Sequence, residues 1–215
     1  MLAKVFSTAV LGVDAFLVEV EVDLTPALPS FEVVGLPDAA VREAKERVRA
    51  AIKNTEGEFP RGRITVNLAP ADWRKEGAGF DLPIALGLLV ANEQLPPEAI
   101  ENSIFLGELS LDGSVRPIPG VLPMTIAAKK HGFKRLFVPL ANVYEALLVK
   151  GIDVIGVPGL SQLCQALRGE ISLPLPQPKQ HAQNSQQSAF ELDLSDIRGQ
   201  KMAKRALEVA AAGNH

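Results

Sequence analysis

Cysteine is nearly absent from this chain. Cys164 is the single thiol in 215 residues, so no intramolecular disulfide and no cysteine-built metal cluster can form. In a mostly apolar neighbourhood such a thiol packs as a small hydrophobe. Histidine is almost as scarce. His131, His181 and His215 stand far apart without ligand partners, which argues against a metal site. A strong charge of either sign is missing too: 22 basic against 25 acidic residues give a net charge of −3. The global field therefore does not draw in nucleic acid, although a local basic patch still can. Long apolar runs are also lacking. The opening MLAKVFSTAVLGVDAFLVEVEVDL begins like a signal peptide, but its apolar run is short and is broken by Asp14, Glu19, Glu21 and Asp23. Nothing approaches the ~20 apolar residues that span a bilayer. The chain reads as cytoplasmic, with no membrane partner.

What is present is a hydrophobic fraction of 47%, enough for a real core. FLVEVEVDL (16–24) alternates apolar and acidic residues, the pattern of a half-exposed strand with Phe16, Val18, Val20, Val22 and Leu24 facing inward. The preceding segment is its expected hairpin partner, turning near Gly12. SFEVVGLP (30–37) reads as a third strand. DAAVREAKERVRAAIKNTEG (38–57) is a helix capped by Asp38, with Val41, Ala44, Val48 and Ile52 on one stripe. RITVNLAP (63–70) is a strand ended by proline. Asp112-Gly113 marks a hairpin between two short strands. Residues 121–132 form a helix closed by Gly132. KRLFVP, LANVYEALLVKG, IDVIGVP and GLSQLCQALRGE continue as strand, helix, strand, helix. Interleaved strands and helices make the fold class α/β, or mixed α+β.

The texture changes at Leu173. LPLPQPKQHAQNSQQSAFE is rich in proline and glutamine and poor in apolar residues, so it cannot bury enough surface to fix its backbone. The expected organisation is a domain over 1–172, a linker over 173–190 and the beginning of a second domain over 191–215. In that last segment KMAKRALEVAAAG is a helix by composition, with Ser195 or Asp196 expected at its start.

KEGAGFDLPIALGLLVA (75–91) poses a chemical question: a glycine loop runs straight into an apolar helix. A phosphate loop needs G-x-x-x-x-G-K-[ST], yet Phe80 and Asp81 follow Gly77 and Gly79, and Asp81 would repel an anion. Asp81 reads instead as a helix cap, with Pro83 in the first turn. The glycines read as conformational residues of a tight turn. Arg61, Arg63, Arg74 and Lys75 flank the loop and can share one rim of the sheet, making them the candidates for phosphate contacts; each taken singly is also a plain solvated charge. Trp73 beside them reads as a half-buried anchor, with base stacking as the alternative.

This stretch, together with GELSLDGSVRPIPGVLPMTIAAKKHGFKRLFVP, resembles the proteolytic domain of Lon proteases and the Lon-like domain of the RadA/Sms proteins. The resemblance implies a Lon-type fold, ribosomal-protein domain-2-like. It places the family's serine nucleophile on Gly79 and its lysine on Met124, with Leu122 as the neighbouring option. Neither side chain can serve a serine–lysine dyad, so the resemblance implies a dead protease. Nearly the whole chain, through SDIRGQKMAKRALEVAAAGNH, is similar to the ComM/YifB proteins, magnesium-chelatase-like members of the AAA+ ATPases. In that family a Lon-like domain precedes the motor. The resemblance implies that Asp196, Ile197 and Gly199 lie on the adenine side of a nucleotide site whose phosphate loop would follow His215. No cofactor is then expected in this chain, with ATP and magnesium in the intact protein. It also implies a hexameric ring acting on DNA in recombination, branch migration or natural transformation. The alternatives are a metal-chelatase-type ATPase subunit, or a docking and oligomerisation module without DNA contact.

Overall fold

The computed structural model describes residues 1–55, 57–173 and 196–213. The chain divides into two units, Met1–Pro178 and Lys179–His215. The expected linker, apart from Leu173, lies outside the described residues, as do Ser195, His181 and His215.

In the first unit β1 (Leu2–Leu11) and β2 (Asp14–Thr25) form the expected hairpin around Gly12. β3 (Ser30–Val34) is followed by α1 (Ala39–Asn54), then β4 (Arg63–Ala69). A single 3-10 turn, Ala78–Phe80, leads into α2 (Asp81–Ala91). β5 (Ser103–Phe105) precedes a small hairpin, β6 (Glu108–Leu109) and β7 (Val115–Arg116), whose turn holds Asp112-Gly113. The remainder is α3 (Val121–Lys130), β8 (Arg135–Pro139), α4 (Val143–Ala146), β9 (Asp153–Val157) and α5 (Leu160–Leu167).

Seven strands make one mixed sheet in the order β3-β4-β2-β1-β5-β8-β9. The β1–β2 and β2–β4 pairs are antiparallel, and the other four are parallel. Two apolar clusters lie on its opposite faces. Val5, Phe105, Phe137 and Val157 join residues of α1, α2 and α5 in one, while Ile104, Leu136, Val138 and Val154 join α3 and α4 in the other. Adjacent strand residues thus alternate between clusters, which is why β5, β8 and β9 read as continuous apolar runs. Along β4 and the second half of β2, beyond Ala15 and Leu17 that pack on the α3 cluster, the second face is polar: Glu21 accepts a hydrogen bond from Asn67 Nδ2 (2.7 Å), and Lys4 meets Glu19 and Glu21. That open face produces the apolar–acidic alternation of β2.

α1 behaves as its sequence demands. Asp38 accepts from the Val41 amide at 2.8 Å, and Val41, Ala44, Val48, Ala51 and Ile52 are buried. The helix stops at Asn54, before Gly57. α2 is buried at every position. Leu82, Ile84, Leu86, Leu88 and Leu89 each contribute about 1.5–3 kcal/mol of burial. At Gly87 a Cβ would sit 2.5 Å from Val22 Cγ2, so the glycine sets how closely α2 approaches the sheet. The expected helix over LANVYEALLVKG is much shorter than the sequence suggests. A 3-10 turn at Leu140–Asn142, whose Asn142 side chain binds the Ile118 backbone, leads into only four α-helical residues.

In the second unit α6 (Lys201–Gly213) follows Gly199 and Gln200, both at positive φ. It starts five residues after Asp196, which is therefore not its N-cap. Among the described residues no helix is long and apolar enough to cross a membrane.

Candidate functional site

The glycine loop is pinned from several sides. The Lys75 amide donates to Leu36 O (3.1 Å), and the Asp38 amide donates to Lys75 O (3.0 Å), extending the β3–β4 pairing beyond the strands. Asp38 has a double role. While one carboxylate oxygen caps α1, the other accepts from the Gly77 amide at 3.0 Å. Gly77 has φ +82°, a conformation that favours glycine. Gly79 does not: its φ is ordinary, and the limit there is space, with Ile118 Cδ1 3.3 Å from where a Cβ would lie. The two glycines, expected to share one reason, have different ones. Gly79 O accepts from Gly107 N, and Leu82 N donates to Gly107 O, each at 3.1 Å.

Asp81 is not the cap that the sequence suggests. Its side chain is fully buried, and it accepts two hydrogen bonds from Arg47 of α1, Nε to Oδ2 at 2.6 Å and Nη2 to Oδ1 at 3.0 Å. The Leu109 amide adds a third at 3.2 Å. Burial pushes the carboxyl up to about 6, against the pull of Arg47 and the Leu109 amide. Because a free carboxylate at the helix start could serve solvent or substrate, the distinction matters. This one is committed to holding α1, α2 and β6 together.

Positions 79, 122 and 124 offer no dyad. Gly79 has no side chain, Leu122 is partly buried and Met124 is buried. The start of α3 is instead organised by Glu145, whose carboxylate accepts from the Leu122 amide (2.8 Å) and from Asn142 Nδ2 (3.3 Å). Asn142 in turn accepts from the Ile118 amide (3.0 Å) and donates to the Ile118 carbonyl (2.9 Å). This polar cluster shapes backbone and presents neither a nucleophile nor a free base.

The four expected phosphate ligands do not share a rim. Arg61 and Arg63 lie at the start of β4, and Arg74 and Lys75 lie beyond its end, roughly 20 Å along the strand. Arg63 meets Glu32 at 3.5 Å and Arg74 meets Glu76 at 3.6 Å, both exposed pairs. Lys75 is a clear correction. Its side chain is fully buried, its ammonium donates to Pro70 O, and burial lowers its pKa. Lys75→Met should therefore leave any DNA affinity unchanged and shift the melting temperature by roughly 0 to +5 °C, since a buried charge with one carbonyl partner is costly. A fall of more than about 5 °C in a thermal melt would show that the Pro70 hydrogen bond, and not packing, holds the loop. Trp73 is 45% exposed, with its ring 6.0 Å from that of Phe16 and tilted by 39°.

Arg61 does have basic neighbours, but they come from α1. A groove of about 1030 Å³ between α1 and the edge of β3 is lined by Lys45, Arg49, Lys53, Arg61, Phe31 and Phe59, among others. Phe31 and Phe59 are partly buried, with centroids 6.4 Å apart, and the Arg49 guanidinium carbon lies 5.5 Å from the Phe59 centroid. The loop bearing Phe59 is clamped: Gln94 accepts from the Glu58 amide (2.8 Å) and donates to the Glu58 carbonyl (2.7 Å). A sequence signal for this face existed. Lys45, Arg49 and Lys53 are spaced by four on a helix.

Lys129, at the end of α3, donates to Lys150 O at 2.6 Å, and Arg135 donates to Ala99 O and Glu101 O, so neither extends a basic patch around the loop. Cys164 is buried in the first cluster, and burial raises its thiol to about 11, in line with a packing role. In the second unit Ile197 is 46% exposed, two residues before the left-handed Gly199. Among the described residues, no group of three or more His, Cys, Asp or Glu is arranged to hold a metal ion.

Residues 20–142 match the family described as Subunit ChlI of Mg-chelatase, and residues 193–215 match magnesium chelatase, subunit ChlI. Over 100% of its length the chain is 47% identical to an uncharacterised protein of Mycobacterium tuberculosis, covering 42% of that protein. It is 45% identical to Competence protein ComM of Haemophilus influenzae and 41% identical to YifB of Escherichia coli, again over 100% of this chain and over 42% and 41% of theirs. The chain thus spans about two fifths of the length of these curated relatives. Shorter stretches resemble two proteins of Bacillus subtilis. Lon protease 2 is 36% identical over 38% of this chain and 15% of its own, and DNA repair protein RadA is 33% identical over 42% and 19%.

Proposed function

This chain belongs to the family of Mg-chelatase subunit ChlI and is a homologue of the ComM and YifB proteins, and from that membership we propose that it is the non-catalytic, Lon-like front module of a DNA-directed AAA+ ATPase. The observation that supports this most is a combination. A chain similar to a competence protein at 45% identity is also 36% identical to Lon protease 2 over 85 residues, yet at the positions where the resemblance puts a serine and a lysine it has Gly79 and Met124, with Leu122 beside the latter. On this reading the mixed sheet is of the Lon proteolytic type. Residues 191–215, with Asp196, Ile197 and Gly199, would lead into the motor, which supplies ATP and magnesium sites. The longer protein would assemble as a ring and act in recombination, branch migration or uptake of transforming DNA. Of the four basic residues, Arg61 remains exposed and, among the described residues, free for phosphate contact, whereas Arg63 and Arg74 pair with Glu32 and Glu76.

The test is ATP hydrolysis by the longer protein, measured with and without DNA. DNA should stimulate turnover several-fold, and the 215-residue chain by itself should show no hydrolysis, because its sequence holds no G-x-x-x-x-G-K-[ST] segment. A longer protein whose turnover is indifferent to single- and double-stranded DNA would overturn the DNA-directed reading.

A further inference from the structure

We propose that the groove between α1 and the β3 edge is a binding site for single-stranded DNA, an inference that rests on the DNA-directed reading and names its contact surface. Three observations support it. First, charge is concentrated there in a chain whose net charge is −3: among the described residues, Lys45, Arg49, Lys53 and Arg61 line the groove with one carboxylate, Glu58. Among the described residues Arg49, Lys53 and Arg61 enter no ion pair, and Lys45 reaches only its exposed neighbour Glu46, at 4.0 Å. These cations are available to an outside anion.

Second, their spacing suits a polyanion rather than a lone ion. Steps of four residues place Lys45, Arg49 and Lys53 about 6 Å apart along the helix axis. Successive phosphates of an extended strand recur on a similar scale, so a strand lying along α1 meets one cation per nucleotide. Arg61 adds a fourth lining cation from the loop that leads into β4.

Third, the groove also offers something to the bases. Phe59 and Phe31 are held with their rings nearly parallel, at 22°, and the Arg49 guanidinium sits against Phe59. Aromatic platforms beside a basic track are how single strands are held without sequence preference. A duplex keeps its bases stacked inside and leaves such platforms unused, which is why a single strand is the occupant favoured.

The experiment uses the 215-residue chain and a fluorescent twenty-nucleotide oligothymidine, read by anisotropy across a salt titration. Four contacts predict a log–log salt slope of about −2 to −3, with dissociation constants on the order of 1–100 μM at physiological salt. Changing Lys45, Arg49, Lys53 and Arg61 together to alanine should weaken binding at least tenfold and bring the slope close to zero. The pair Arg63→Ala and Arg74→Ala should leave both nearly unchanged. Phe59→Leu should weaken oligothymidine binding roughly 3- to 30-fold while leaving an abasic strand of equal length unaffected. Circular dichroism and thermal melts establish that each variant is folded. Unchanged affinity and slope in the folded four-site variant overturn the groove and leave the DNA-directed reading standing. Absence of binding by the 215-residue chain at low salt also overturns the groove, and DNA-stimulated hydrolysis by the longer protein then separates that failure from failure of the function itself. Equal weakening of the intact and abasic strands by Phe59→Leu overturns the base-stacking part.

Discussion

Asp81→Ala should cost about 3–5 kcal/mol at neutral pH, a large part of the 5–15 kcal/mol that holds a typical domain together. The change strips Arg47 of its bidentate partner while Ala40 O still holds the guanidinium in place, and it leaves the Leu109 amide without an acceptor. Urea denaturation gives the value, and a cost below about 1 kcal/mol would mean that the pair is incidental to stability. Asp81→Asn, which keeps the shape, isolates the titration. The folded carboxyl titrates near 6, above its ordinary value of 3.8. The folded state therefore holds this proton more tightly than the unfolded one does. The stability so gained is complete below about pH 4 and is lost as the pH rises through about 6. Wild type should accordingly lose roughly 2–3 kcal/mol relative to Asp81→Asn between pH 4 and pH 7. A difference that stays flat, or widens in favour of wild type as pH rises, would show that Arg47 and not burial dominates the carboxyl.

The second large effect is expected at Gly87. Leucine there must place its Cβ where Val22 Cγ2 is 2.5 Å away and Val5 Cγ2 is 3.5 Å away. Both neighbours are buried strand residues in the middle of the sheet, so neither can swing into solvent. α2 would have to lift off β1 and β2. Overpacking of this kind costs about 1–3 kcal/mol or more, and the better helix propensity of leucine recovers less than about 1 kcal/mol. Gly87→Leu should thus lower the melting temperature by about 2–12 °C. Val22→Ala in the same chain should restore part of the loss, although each change alone destabilises. Additive losses in the double variant would mean that the two positions are not in contact.

Much of this fold could be read from residues whose reasons are local. Asp38 caps α1 because the cap lies three residues from the amide it serves. Val18, Val20 and Val22 point inward because one face of β2 is solvated and the pattern alternates. Asp112-Gly113 turns the small hairpin. The misreadings share a different character. Asp81 looks like a cap until Arg47, 34 residues earlier, is known to lie against it. Lys75 looks like a surface charge until the loop is seen to fold over it. Arg61 and Arg74 look like neighbours in sequence and are separated by the length of β4. Four parallel strand pairings leave no periodic trace, so the strand order has no signature in the sequence. The groove was partly legible, as cations at every fourth position of α1, but Phe59 and Arg61 come to it only through the clamped loop.

The strand order also bears on how the chain is born. β1 leaves the ribosome just ahead of β2 and finds it at once, yet its other neighbour is β5, where Phe6 pairs with Ile104. Nearly a hundred residues separate the two. At about 5–20 residues per second, the inner edge of the first hairpin waits roughly 5–20 s for its partner. Throughout that interval the row of unpaired amides and carbonyls along β1 is open to any other extended segment, including a second nascent copy. One place where newly made chains are open to mispairing is therefore the centre of the finished sheet, a strand that in the native protein has a neighbour on each side.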